Sequence, residues 1–231
     1  MSNKGFGLKR VRRISMQNKP LLALQNNSFP LVLTMVLDYH LKEGSKVLDP
    51  TCGLKYSWAK YLDDSKKANI MFYKPKQFEI TFVDEKEGMG LDDLVYKDFD
   101  AIYFDSPFVF GLKNSSDERQ EDYGGYDFTF EGLKELFVLA NEVFVGILKE
   151  KGLLFLKYTD VFSFTEKKYY YCASIWPNVF SHFEVIDHYI VQHHNINPTA
   201  YQVKDRGCGI VNYTYLTVLR RAGNKYIVYN K

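Results

Sequence analysis

Cysteine is scarce in this chain. Cys52, Cys172 and Cys208 are the only three in 231 residues, and they lie far apart. Their spacing fits no metal-ligand pattern, and three thiols cannot build a full disulfide framework. A reduced, intracellular setting is therefore expected, with no resident metal. No apolar run approaches the roughly 20 residues that span a bilayer. The N-terminus is basic but lacks an apolar signal core, so the expected location is the cytoplasm, with no membrane partner. Charge of one sign is not in excess: the formal net charge is +2. Any case for a polyanionic partner must rest on local charge. Internal repeats and low-complexity tracts are absent. A glycine-rich dinucleotide fingerprint is also missing, which counts against a nicotinamide dehydrogenase. His193 and His194 precede a polar loop with Asn195 and Asn197, but a metal site needs more ligands in register.

What is present is a foldable α/β pattern. Hydrophobic residues make up 46% and charged residues 25%, enough to bury a real core. The length fits one α/β domain or two small ones. Aromatic residues reach 16%, with 18 Tyr and 18 Phe. Most belong in a core, and some are able to stack on bases. Residues 1–27 read as a basic segment and residues 28–231 as the domain. Lys4, Lys9, Arg10, Arg12, Arg13 and Lys19 in that segment can pair with phosphates, or form a solvated tail. A helix is predicted over Phe29–Lys42, with Ser28 as its cap, Pro30 in its first turn and Gly44 at its end.

Three strand ends then carry acids. In KVLDPTCG, Val47 and Leu48 read as a buried strand, Asp49 sits at its carboxyl end, and Gly53 opens a turn before a helix near Ser57–Leu62. Ligands in parallel α/β sheets bind outside the carboxyl ends of strands near the switch point. Glycine there lets a ligand approach bare backbone, and a carboxylate can accept from an amine or from hydroxyls. A structural turn explains the same residues. In FEITFVDE a second strand leads to Asp84, the place where an acid meets ribose hydroxyls in nucleotide-binding domains; a strand-terminating acid is the plainer alternative. In FDAIYFDSPF, Ala101–Phe104 read as a buried strand, and Asp105, Ser106, Pro107 and Phe108 leave it as an irregular turn.

That third segment resembles the motif of amino-methyltransferases acting on adenine N6 or cytosine N4. There an Asp, Asn or Ser is followed by two prolines and an aromatic residue. The resemblance implies roles: Asp105 accepts from the target amine, the Ser106 carbonyl is a second acceptor, and Phe108 stacks the extruded base. Serine stands at position 106 where the motif has its first proline, which loosens the turn.

Further along, residues 129–149 show a helical stripe of Leu133, Leu136, Phe137, Ala140, Val143, Phe144 and Ile147, with Thr129 as cap. Gly152 starts a strand, GLLFLKY, and a late pair, HFEVIDHYIV and NYTYLTVLRR, reads as a hairpin-like closure. Residues 115–128 are acidic and glycine-containing, as suits a lid or an ordinary solvated loop. Over roughly residues 28–221 the chain resembles small stand-alone methyltransferase-like proteins of phages and archaeal viruses, relatives of DNA-modification methylases. The resemblance implies a single Rossmann-like class I methyltransferase domain, with a mostly parallel seven-stranded sheet and an antiparallel last strand. It implies S-adenosylmethionine as cofactor, held by Phe29, Asp49, Thr51, Gly53, Asp84 and Asp92. A capped core helix explains Phe29 as well. The expected function is methylation of an exocyclic amine of a nucleic-acid base, in DNA. Alternatives are RNA or another substrate, or a domain that binds nucleic acid without catalysis. With no room for a separate target-recognition domain, strong sequence specificity is not expected.

Overall fold

In the computed structural model the described residues are 24–25, 28–53, 55–62, 75–83, 91, 94–105, 129–163, 166–193 and 213–223. The strands are β1 (Leu24–Gln25), β2 (Lys46–Asp49), β3 (Glu79–Phe82), β4 (Phe99–Asp105), β5 (Leu148–Tyr158), β6 (Val161–Ser163), β7 (Lys168–Tyr170), β8 (Phe183–Gln192) and β9 (Tyr213–Arg221). The helices are α1 (Phe29–His40), α2 (Ala59–Leu62), α3 (Phe130–Ile147) and α4 (Trp176–Val179).

One seven-stranded sheet runs β1-β8-β9-β5-β4-β2-β3, and β6 pairs only with β7. Six of its strands have four or more residues; the seventh, β1, is a two-residue edge. β9 is antiparallel to both β5 and β8, and every other pairing in the sheet is parallel. From β2 the chain steps to β3 on one side and then to β4 on the other. The point where strand order reverses therefore lies between β2 and β4, the ligand crevice of a doubly wound Rossmann-like sheet.

Alternation sends successive side chains to opposite faces. Val47, Ala101, Tyr103 and Phe155 pack with α1 and Trp58. Leu48, Ile102, Phe104 and Leu156 pack with α3 and α4. Parallel strands covered on both faces read as continuous apolar runs, and AIYF and LLFL are such runs. Each large side chain fully removed from water contributes about 1.5–3 kcal/mol. That burial, rather than intrinsic propensity, holds α1, whose VLTMV core contains two valines and a threonine.

Helix ends follow local chemistry, with some departures from the expectations above. Thr129 caps α3: its Oγ1 accepts from Gly132 N at 3.0 Å. Ser28 does not cap α1 through its hydroxyl; its carbonyl accepts from Leu31 N and Val32 N instead. α1 stops at His40, and Gly44, with φ +75°, makes the following turn, donating to the Gln77 carbonyl. β5 begins at Leu148, four residues before Gly152, because Phe99 pairs with Leu148 and a bulge resets the register before Ala101 pairs with Leu153. The sheet also reaches Leu24–Gln25, upstream of residue 28, by pairing β1 with the end of β8.

Candidate active site

β2 and β4 flank the switch point, and each ends in an aspartate on the α1 side of the sheet. Their surroundings differ. Asp49 is 1% exposed. Its Oδ1 accepts from Thr51 N at 2.9 Å and from Thr51 Oγ1 at 3.2 Å. Its Oδ2 accepts from the Trp58 indole at 2.5 Å. Both oxygens are thus engaged inside the chain, across the turn that leads from β2 to the 3₁₀ turn Tyr56–Trp58. Burial pushes the Asp49 carboxyl up to about 7, against the pull of those donors and with a further push from the Asp105 charge. Gly53 and Lys55 in the same turn have φ of +42° and +57°. Among the described residues nothing lies within 4 Å of where a Cβ on Gly53 would stand.

Asp105 is the last residue of β4 and pairs in register with Lys157 of β5. Asp105, expected in the turn, thus belongs to the strand itself. Its Oδ2 takes three donors: Lys157 Nζ at 2.6 Å, Ser57 Oγ at 2.9 Å and Tyr103 OH at 3.3 Å. Its Oδ1 accepts no hydrogen bond from the described residues. The side chains of Lys157 and Asp105 are 17% and 22% exposed, shielded yet reachable. Tyr103 is fully buried, and its hydroxyl is held well above the ordinary range by burial and by the charges of Asp105 and Asp49. It stays a donor throughout the physiological range.

Thr51 links the two aspartates, since its Oγ1 donates to Asp49 and accepts from Asp105 N at 3.0 Å. Phe29, the first residue of α1, lies beneath the cation, with Lys157 Nζ 4.6 Å from its ring centre. Lys55 Nζ sits 4.5 Å from the Phe82 ring at the end of β3. His193 shares a 2.7 Å hydrogen bond with Thr214 Oγ1. Burial and the nearby Lys157 charge lower its pKa, so the ring is mostly neutral at pH 7.

The structure thus brings Phe29, Asp49, Thr51, Gly53 and Asp105 to one edge. Asp84, Asp92, Ser106, Pro107 and Phe108 lie outside the described residues, as do His194 and the 115–128 segment. Lys157, Ser57 and Trp58 were not singled out from the sequence. For Lys157 a signal existed: a lysine closing the apolar run LLFL, at the carboxyl end of a buried strand, is out of place unless an acid meets it.

Among the described residues no helix is long and apolar enough to cross a membrane. No protein-family model matches this chain, and no curated protein matches it. Solved structures do resemble it. One is TrmN from Thermus thermophilus, at 15% identity and a TM-score of 0.43, covering 84% of this chain and 48% of that one. This chain thus spans about half of TrmN's length. Another is a SAM-dependent methyltransferase from Methanosarcina mazei, at 9% identity and a TM-score of 0.42, covering 80% of this chain and 96% of that one. A third is the 1,6-didemethyltoxoflavin-N1-methyltransferase of Burkholderia thailandensis, solved with 1,6-didemethyltoxoflavin and S-adenosylhomocysteine. It has 11% identity and a TM-score of 0.43, covering 85% of this chain and 79% of that one. At these values the likeness assigns neither a reaction nor a substrate to this chain.

Proposed function

We propose that this chain is an S-adenosylmethionine-dependent methyltransferase that modifies an exocyclic amine of a nucleic-acid base, adenine N6 or cytosine N4 of DNA, as its DNA-modification-like motifs suggest. One observation carries the reading. Asp105 is anchored by three donors on Oδ2 while Oδ1 accepts nothing from the described residues. An acceptor fixed in this way suits a donor that arrives with the substrate, because the orientation is set before binding.

The residues present fit the cofactor. The turn at Gly53 has left-handed backbone with open space beside it, so a ligand can approach the main chain closely. In this reading Thr51, Gly53 and Phe29 hold the cofactor, with Asp84 and Asp92 as further ligands beyond the described residues. Asp49 contributes through the turn it braces, since both of its oxygens are already engaged. When bound, the cofactor supplies a methyl group on a sulfonium. The chain's own residues hold the amine. Asp105 Oδ1 accepts one amine hydrogen, which turns the nitrogen lone pair outward and gives the proton released on methylation a place to reside. Lys157, Ser57 and Tyr103 keep the carboxylate from rotating. Ser106 and Phe108 supply the second acceptor and the stacking ring.

The test is incubation of the full chain and the cofactor with unmodified DNA, and with RNA in parallel, followed by mass analysis of the nucleosides. N6-methyladenine or N4-methylcytosine in the DNA is the expected product. Absence of any methylated nucleoside despite tight cofactor binding would overturn the nucleic-acid reading.

A further inference from the structure

His193 has no part in the chemistry described so far, yet strand register brings it to the same shelf as Asp105. β9 is antiparallel to β5 and β8, so the carboxyl ends of β4, β5 and β8 and the amino end of β9 share one edge of the sheet. Asp105 pairs with Lys157, Lys157 with Leu216, and Thr214 with Val191. Two residues further in along these four strands stand Tyr103, Phe155, Leu216 and Val191, all fully buried in the core that α1 covers. Side chains two apart on a strand share a face. Asp105, Lys157, Thr214 and His193 therefore form a polar row where that core ends, on the α1 side. The row crosses β4, β5, β9 and β8 in sheet order, three strand spacings or about 14 Å. An amine occupies only the Asp105 end; a shelf of that width takes the rest of a nucleotide. His193 is itself held ready for a ligand. Its Nε2 shares a 2.7 Å hydrogen bond with Thr214 Oγ1, and Thr214 is buried, which fixes the ring. Its Nδ1 has no hydrogen-bond partner among the described residues. Burial and the Lys157 charge keep the ring mostly neutral at pH 7, so it has one donor and one acceptor nitrogen.

We infer that His193 is a substrate-binding residue: its Nδ1–H donates to a ring-edge acceptor of the base whose exocyclic amine Asp105 holds, while its Nε2 accepts from the Thr214 hydroxyl. The inference rests on the nucleic-acid reading of the active site and deepens it by assigning where the base lies: across β5, β9 and β8, away from the turn at Gly53 where the cofactor fits. The chemistry of the base sets the tautomer. Adenine and cytosine carry an acceptor on the edge remote from the amine (adenine N3, cytosine O2), so the nitrogen that faces it must donate. The Thr214 hydroxyl permits this, because it donates as readily as it accepts. A base held at two separated points keeps its amine in line more narrowly than one held at the amine alone.

The experiment uses two partial replacements. An asparagine amide stands near the place of Nδ1, and a glutamine amide near that of Nε2. The full chain as wild type, His193→Ala, His193→Asn and His193→Gln is assayed for methyl transfer to a mixed-sequence DNA oligonucleotide and, by fluorescence anisotropy, for binding it. Calorimetry reads S-adenosylmethionine affinity, and thermal melting reads the fold. His193→Ala should lower kcat/KM and oligonucleotide affinity about 2- to 10-fold, the equivalent of one neutral hydrogen bond, with cofactor affinity unchanged. His193→Asn should recover most of that loss, and His193→Gln should not. The reverse order, with recovery in His193→Gln alone, means that the ring only braces Thr214 and overturns the inference; so does a wild-type kcat/KM in His193→Ala. Oligonucleotide binding that depends on His193 but brings no methyl transfer sinks the methyltransferase reading and leaves the base site standing. A wild type that neither binds nor methylates the oligonucleotide sinks both.

Discussion

β2 and β4 are neighbours, both end in aspartate, and both aspartates lie on the α1 side at the same edge of the sheet. Composition and pattern read both as acids at strand ends, and only the motif resemblance gives them different roles, Asp49 toward the cofactor and Asp105 toward the amine. Their environments separate them. Asp49 is sealed, and its hydrogen bonds tie Thr51 and Trp58 together. Asp105 is shielded but reachable, and has one oxygen pinned and the other turned away from its partners. Two carboxylates on neighbouring strands thus sit differently: one braces a turn with both oxygens, and the other, in the function proposed above, has an oxygen left for the substrate. Environment, more than residue type, decides which acid is structural and which is chemical.

The largest effect that sharpens this contrast is on stability. Asp49→Ala strands the Trp58 indole N–H and the Thr51 amide in a dry site. The expected cost is about 3 kcal/mol in denaturant unfolding, because each buried donor left unmade costs ~1–3 kcal/mol. Asp105→Ala, at a partly solvated ion pair, should cost about 1 kcal/mol or less. Equal losses at the two positions would erase the distinction.

A pH series gives the second handle. The folded carboxyl of Asp49 is pushed up to about 7, while in the unfolded chain it titrates near its ordinary value of ~3.9. Between those values the folded state binds the extra proton. The stability contributed by this group is present below about pH 4 and is lost as pH rises through about 7. Asp38, pushed up to about 6 by burial, acts in the same direction over a narrower window. Asp49→Asn should therefore flatten the fall in stability from pH 4 to pH 7 relative to wild type. An unchanged profile would mean that Asp49 is not the titrating group.

Smaller effects probe the anchoring of Asp105. Lys157→Met removes the charged donor, and methyl transfer should drop about 10-fold or more, in line with a charge-assisted hydrogen bond of ~1.5–3 kcal/mol. Cofactor affinity should change little. Ser57→Ala removes a neutral donor and should reduce transfer by about 2- to 10-fold. A reversed order, with Ser57 mattering more than Lys157, would point to a different anchor.

How far the sequence disclosed this is uneven, for physical reasons. Buried parallel strands announce themselves as apolar runs, so AIYF and LLFL were legible, as was the stripe of α3 with its Thr129 cap. The acids that close β2 and β4, Asp49 and Asp105, were legible too; Asp84 lies outside the described residues. The Asp105–Lys157 pair was not, because it depends on the register of β4 against β5, which a bulge near Phe99 resets. Trp58 falls within the helix expected near Ser57–Leu62 and carried no signal of its own, yet its indole reaches back nine residues to Asp49. Strands as short as β6 and β7, at three residues each, carry too little alternation to be seen. The Ser28 hydroxyl does not cap α1 although the residue type suits one.

The central claim is that Asp105 receives the substrate amine while Asp49 keeps the shape of the turn. The most direct measurement pairs calorimetric titration of S-adenosylmethionine with methyl transfer, on wild type and Asp105→Ala. The account predicts transfer reduced on the order of 100-fold or more, with cofactor affinity nearly intact. Transfer that survives Asp105→Ala would contradict it.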